Sequence, residues 1–180
     1  MMMTKTSIAL IGFMATGKTT IGEILATKLG DPYRHVEMDL MIEKFAGKSI
    51  PEIFSQDGEK QFRKLERLIC KKISKLDHSV ISCGGGVVLD ERNIKNLRKN
   101  AIIIHLKSNL ETIHNRIIKN GINARPVVDK SNFKEDLNRI YHIRSSLYQK
   151  AADFEVDTND IDTNMIVKKI FEKIMITQKS

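Results

Sequence analysis

Residues 12–19 read GFMATGKT and place two glycines, a lysine and a threonine at the spacing G-x-x-x-x-G-K-[ST]. Each fixed position has a use in holding a polyphosphate. Gly12 and Gly17 let the backbone turn tightly and approach an anion closely. Successive backbone N–H groups around Ala15 and Thr16, with the N-terminus of a following helix, attract negative charge. The Lys18 ammonium can reach β- and γ-phosphates, and the Thr19 hydroxyl can ligate Mg²⁺. The expected contacts to a nucleoside triphosphate are Gly12, Ala15, Thr16, Gly17, Lys18, Thr19 and Thr20.

Two acids stand beyond the next apolar run, in HVEMDLMIE (35–43). If that run is a strand, Glu37 and Asp39 project to one side at its end, where the ligand crevice of a parallel sheet lies. One carboxylate could organise the water shell of a Mg²⁺ ion, and the other could accept a hydrogen bond from an attacking hydroxyl. Asp39 could equally cap the helix that begins there.

Three arginines are placed for anions. In FRKLE (62–66), Arg63 and Glu66 lie one helical turn apart, where Arg63 could bind an anion or the two could form an ordinary surface ion pair. Arg125, in ARPVV (124–128), lies in a polar stretch where a cover over transferring phosphate would sit. Arg144, in HIRSSLY (142–148), falls on a helix, and two guanidiniums suit a carboxylate. The triple glycine of VISCGGGVV (80–88) has no lysine or threonine beside it. Gly84, Gly85 and Gly86 could leave room for a ring and offer N–H groups to its oxygens, or simply turn a strand into a helix. On the first reading, a larger residue at Gly85 would weaken acceptor binding before nucleotide binding.

The elements that must position these groups alternate. Strand-like runs occur at 7–12, 35–38, 79–83, 101–106 and 153–157, separated by helical patterns, which predicts a parallel α/β sheet. Helical stripes are Ile21, Ile24, Leu25 and Leu29; then Phe62, Leu65, Ile69 and Ile73; then Ile166, Ile170 and Ile174. Residues 119–132 read as a polar loop.

Composition narrows the class. The 180 residues suggest one domain, and no apolar run approaches a membrane span. Two cysteines, Cys70 and Cys83, form neither a disulfide framework nor a metal-ligand spacing, which fits core thiols in a reducing cytoplasm. The net charge of +8 is scattered, without a dense basic block or tryptophan, so solvated helix faces account for it better than nucleic acid does. The GTPase signatures D-x-x-G and N-K-x-D and the protein-kinase H-R-D are absent, and Leu89 breaks G-x-G-x-x-G in the second glycine run.

Taken together, the phosphate loop, the acid segment, the FR..E helix, GGG, the RP stretch and the R...Y helix resemble the shikimate kinase family over nearly the whole chain. The resemblance implies an α/β P-loop fold of three layers, with a five-stranded parallel sheet in order 2-3-1-4-5 flanked by helices. It implies a single domain over 1–180, a substrate-binding segment at about 39–70 and a lid at about 117–132. ATP would donate its γ-phosphate to the 3-hydroxyl of shikimate, with Mg²⁺ as cofactor, in aromatic amino acid biosynthesis. Asp39 would hold the hydroxyl and act as base, Arg63 and Arg144 would bind the carboxylate, and Gly84–Gly86 would line the pocket. Lys18 and Arg125 would neutralise the phosphoryl group, Arg116 would stack on adenine, and Glu37 would meet Mg²⁺ through water. A cytoplasmic monomer without nucleic-acid or membrane partners is implied. Two departures stand out: the family usually has Asp where this chain has Glu37, and its loop commonly carries a further glycine where Ala15 and Thr16 stand. The rivals are another small-molecule kinase, for gluconate or a nucleoside monophosphate, and a nucleotide-switched binding module.

Overall fold

The computed structural model describes residues 5–120, 132–159 and 162–177. Its strands are β1 (Ser7–Ile11), β2 (Arg34–Glu37), β3 (Ser79–Ser82), β4 (Ala101–Lys107) and β5 (Phe154–Asp157). They pair in parallel in the order β2-β3-β1-β4-β5, as expected. The helices are α1 (Lys18–Leu29), α2 (Met38–Ala46), α3 (Ile50–Glu52), α4 (Gly58–Ile73), α5 (Glu91–Leu97), α6 (Leu110–Asn120), α7 (Phe133–Ala151) and α8 (Thr163–Thr177). A wide π turn, Ile53–Asp57, joins α3 to α4, and a 3₁₀ turn, Val87–Leu89, follows the triple glycine. None of the described helices is long and apolar enough to cross a membrane.

The strands are apolar on both faces because helices cover both. Alternate residues divide cleanly, as the two-residue period of a strand requires. Ile8, Leu10, Val80, Ile102 and Ile104 pack with Ile21 and Leu25 of α1 and Ile166, Ile170 and Ile174 of α8. Ala9, Ile11, Ile81 and Ile103 pack with Phe62, Ile69 and Ile73 of α4 and Tyr148 of α7. The result is helix–sheet–helix, with all three expected stripes buried in whole or part. Both cysteines are free and buried, as anticipated; burial pushes the Cys70 thiol up to about 12.

Strand β1 pairs with β3 on one side and β4 on the other. The chain therefore leaves in opposite directions from the C-terminal ends of β1 and its neighbours, which opens a crevice there. The phosphate loop follows β1 and the triple glycine follows β3, so both glycine turns reach this edge.

Two boundary differences bear on the site. β2 ends at Glu37, so Asp39 lies in the first turn of α2 rather than in an extended segment. Helix α6 continues to Asn120, because Ile113 and Ile117 extend its apolar stripe into the core. The first residues of the expected lid are thus helical. Arg125 and the rest of 121–131 lie outside the described residues.

Candidate active site

The phosphate loop turns on three residues with positive φ: Gly12 at 149°, Ala15 at 59° and Gly17 at 90°. A Cβ at Gly12 would stand 2.5 Å from the Leu106 carbonyl oxygen, so glycine is required there by close approach as well as by the turn. Ala15 carries a Cβ in left-handed backbone, at about 1–2 kcal/mol. The buried Thr16 hydroxyl donates to Phe13 O at 2.9 Å and braces the turn. Lys18 Nζ donates to Gly12 O at 2.9 Å and Phe13 O at 2.8 Å, folding its charge back over the loop. Anionic oxygens entering the loop would meet this ammonium and the N-terminus of α1 together.

Glu37 and Asp39 serve different neighbours because α2 begins between them. Glu37 Oε2 accepts from Thr19 Oγ1 at 2.7 Å. Burial holds the Glu37 carboxyl above the ordinary carboxylate range, against the lowering effect of Thr19 and Lys18. Asp39 turns the other way, towards the triple glycine: a Cβ on Gly84 would lie 2.7 Å from Asp39 Oδ1. No side chain caps the start of α2, and Glu37, not Asp39, occupies the cap position. The helix-cap alternative for Asp39 is therefore set aside.

A cavity of about 500 Å³ opens beside Asp39. Its apolar walls are Met14, Ile50, Phe54 and Phe62, and its charged groups include Asp39, Arg63, Glu66 and Arg144. The wall at Ile50 is fixed locally: Ser49 and Glu52 form a reciprocal cap in which Ser49 N–H donates to Glu52 Oε2 at 2.7 Å. Arg63 Nη1 donates to Glu66 Oε2 at 2.7 Å, and its other nitrogens meet the exposed Glu59. The pair is no surface ion pair, since the Glu66 side chain is only 1% exposed. Burial raises the Glu66 carboxyl above its ordinary value, while Arg63 and Arg144 pull it down.

Arg144 is buried on α7 and donates from Nη1 to Gly85 O at 3.1 Å. Tyr148, one turn on and also buried, donates its hydroxyl to the same carbonyl. Its ring stacks on His105 of β4, with centroids 5.1 Å apart, and His105 Nδ1 lies 2.7 Å from Glu155 Oε1. Two donors thus fix the Gly85 carbonyl. Among the described residues, the N–H groups of Gly84, Gly85 and Gly86 donate no hydrogen bond, which leaves them for a ligand.

The need for glycine is uneven across the triplet. At Gly85 a Cβ would meet only ordinary contacts, 3.7 Å from Met14 N and 3.8 Å from Gly12 O. A single methyl at Gly85 is thus accommodated, and the expected loss of acceptor binding before nucleotide binding would need a larger side chain there. At Gly86 a Cβ would overlap the Arg63 guanidinium. Gly86→Ala should therefore displace Arg63 and weaken acceptor binding about tenfold or more, since a charge-assisted bond contributes about 1.5–3 kcal/mol. Gly85→Ala should stay within about twofold of wild type by the same measure. Steady-state KM values for both substrates check this contrast.

The same numbers show how close the two glycine turns are: the Gly85 backbone rests against residues 12 and 14 of the phosphate loop. The cavity and the loop share a wall. Arg116, on α6, reaches that loop from the other side, donating to Ala15 O at 3.3 Å and Thr158 O at 2.6 Å.

A sequence profile of the shikimate kinase family matches residues 14–175. The chain belongs to the shikimate kinase family. It is 40% identical over 167 residues to a shikimate kinase of Thermodesulfovibrio yellowstonii, covering 93% of this chain and 94% of that one. A shikimate kinase of Coxiella burnetii is 38% identical over 172 residues, covering 96% and 95%. The solved structure of a shikimate kinase from Acinetobacter baumannii in complex with shikimate superposes with a TM-score of 0.90 at 29% identity, covering 97% of this chain and 95% of that one.

Within that family frame, Lys18, Thr19, Glu37, Asp39, Arg63, Gly84–Gly86, Arg116 and Arg144 all come to the one sheet edge, although they are spread along most of the chain. Glu66 and Tyr148, named in the sequence only as part of the FR..E and R...Y motifs, join them in the site. Phe62, four residues before Glu66, and Ile69, three after, both lie on the buried stripe of α4, which is the pattern that marks Glu66 as inward-facing. Tyr148 is four residues beyond Arg144, on the same face of α7.

Thr19 and Glu37 also test whether Mg²⁺ fits. Both offer hard oxygen donors, 2.7 Å apart. Among the described residues, no group of three or more His, Cys, Asp or Glu gathers that could hold a metal ion. An ion here would draw its remaining oxygens from water and nucleotide phosphates, which is the usual habit of Mg²⁺.

Proposed function

We propose that this protein phosphorylates shikimate, transferring the γ-phosphoryl group of ATP to the 3-hydroxyl to give shikimate 3-phosphate and ADP. One observation carries the reading: a phosphate loop with Lys18 and Thr19 shares a wall with a cavity holding Asp39 and two guanidiniums. Donor and acceptor seats that adjoin allow direct in-line transfer, in which catalysis is positioning plus charge stabilisation.

Arg63 and Arg144 hold the substrate carboxylate, their planar forks matching its two oxygens. The N–H groups of Gly84–Gly86 hold ring hydroxyls, and Phe54 and Phe62 exclude water from the ring's apolar edge. Asp39 accepts a hydrogen bond from the reacting hydroxyl, orients its oxygen towards the phosphate loop and takes its proton as the oxygen attacks. Lys18 leaves the loop carbonyls for the phosphoryl oxygens. Thr19 and Glu37 would hold Mg²⁺, which when bound neutralises charge on the phosphates. Arg125 neutralises the transferring group from the lid, and Arg116 stacks on adenine. The protein acts as a single-domain cytoplasmic monomer with ATP and shikimate as its partners.

A coupled ADP-release assay with shikimate, gluconate and AMP as alternative acceptors tests the assignment. Turnover is expected with shikimate alone. ADP release that is independent of shikimate, or that is supported by gluconate or AMP instead, overturns it.

A further inference from the structure

Behind the phosphate loop, on the α1 side of the sheet, three residues form a polar chain that the reaction above leaves unused. His35 Nε2 lies 2.9 Å from Ser82 Oγ, and Ser82 Oγ lies 2.9 Å from the Lys18 carbonyl oxygen. A carbonyl oxygen only accepts, so Ser82 donates to Lys18 O and must receive its own bond from His35 Nε2–H. Ser82 is fully buried, at 0% exposure. Room for the pair comes from Gly22, one turn into α1, where a Cβ would stand 2.6 Å from Ser82 Oγ and 2.8 Å from His35 Nε2. Three elements, β2, β3 and α1, thus converge on one carbonyl. Lys18 is the first residue of α1, and its neighbour Thr19 is held by Glu37, two residues after His35 on the same strand. β2 therefore grips the start of α1 twice. Were Thr19 to ligate a metal ion, the bonds through His35 and Ser82 would still hold this turn.

We propose that His35 is a positioning residue for the nucleotide site: through Ser82 it fixes the first turn of α1 and with it the aim of Lys18 and Thr19. The inference rests on the assignment of that turn to phosphate binding. Wild-type binding of MgADP is therefore measured first by titration calorimetry. A wild-type protein that binds no MgADP and shows no shikimate-dependent ADP release overturns the functional reading, and this inference with it.

Given wild-type binding, His35→Leu and Ser82→Ala should each weaken MgADP about two- to tenfold, the worth of one buried hydrogen bond. The apparent affinity for shikimate should not move. The double variant should bind no more weakly than Ser82→Ala alone, because both substitutions break one chain. His35→Gln, whose amide can donate to Ser82, should recover most of the lost affinity. Ser82→Ala removes one oxygen from a packed site and keeps the test readable if His35→Leu folds poorly. Three outcomes each overturn the proposal: unchanged MgADP affinity in Ser82→Ala, independent addition of the two effects, or a parallel loss of shikimate affinity, which would mean general loosening rather than aim.

Discussion

Asp39→Asn is expected to lower kcat by about 10²–10⁴-fold, the usual worth of a positioned general base, with the melting temperature and MgADP affinity nearly unchanged. The substitution keeps the size of the side chain and one carbonyl oxygen. It removes the charge and the capacity to take a proton. Helix packing should be little affected because Asp39 does not cap α2, whose first turn loses a favourable dipole interaction of about 0.3–1 kcal/mol. Oδ1 packs against the Gly84 backbone, so the amide inherits the same seat. Shikimate KM should change by less than kcat, since the hydroxyl bond survives in part while the proton transfer does not. A single-turnover experiment separates chemistry from product release, and a kcat within about fivefold of wild type would return Asp39 to a purely binding role.

How far the sequence carried this reading depends on what kind of signal each residue had. The phosphate loop was legible because its residues are contiguous and each type has one use there. The sheet order followed from the family resemblance, and the strand runs themselves from apolar patterning that two covering helix layers impose. The acids were found but their geometry was misjudged. A strand ending at Glu37 and a helix starting at Met38 send Glu37 to Thr19 and Asp39 to Gly84, and spacing alone does not reveal such a bend. The Arg63–Glu66 spacing showed a helical pair but not its depth. Depth comes from the apolar residues on either side of Glu66, which were read as a stripe without the acid in their midst. The R...Y spacing put Tyr148 on the same face as Arg144 but did not disclose its role, since its partner carbonyl at Gly85 lies 63 residues away. The placement of Arg116 is similar: it meets the Ala15 carbonyl across 101 residues, and only the packing of α6 against the loop discloses it.

Arg63→Ala should separate two roles of one side chain through their pH dependence. On the proposed role as the substrate's carboxylate partner, loss of Arg63 should raise the shikimate KM by about 10²-fold or more, a cost of about 2–5 kcal/mol, while the ATP KM hardly moves. As the partner of Glu66 it also matters to folding. Glu66 is 1% exposed, and its Oε1 has no hydrogen-bond partner among the described residues. Removing the guanidinium takes away the hydrogen-bonded partner of a buried carboxylate and leaves the Arg144 charge to oppose its burial, at a cost of up to about 3–5 kcal/mol. Burial already raises the Glu66 carboxyl, and Arg63 is the first of the charges that oppose it. In the variant the folded-state value rises further above the unfolded one. A carboxyl raised on folding favours the folded state while protonated, and that contribution is lost as pH climbs through the folded value. The stability deficit of Arg63→Ala should thus be small in acid, where Glu66 is protonated in both states, and grow as pH rises through its raised folded-state value. Adding Glu66→Gln should recover part of the lost melting temperature at neutral pH, because the buried carboxylate is then gone, and should leave shikimate binding as weak as before. If the deficit proves flat with pH, or if the double variant regains shikimate affinity, then Arg63 acts on the substrate only by holding Glu66 in place.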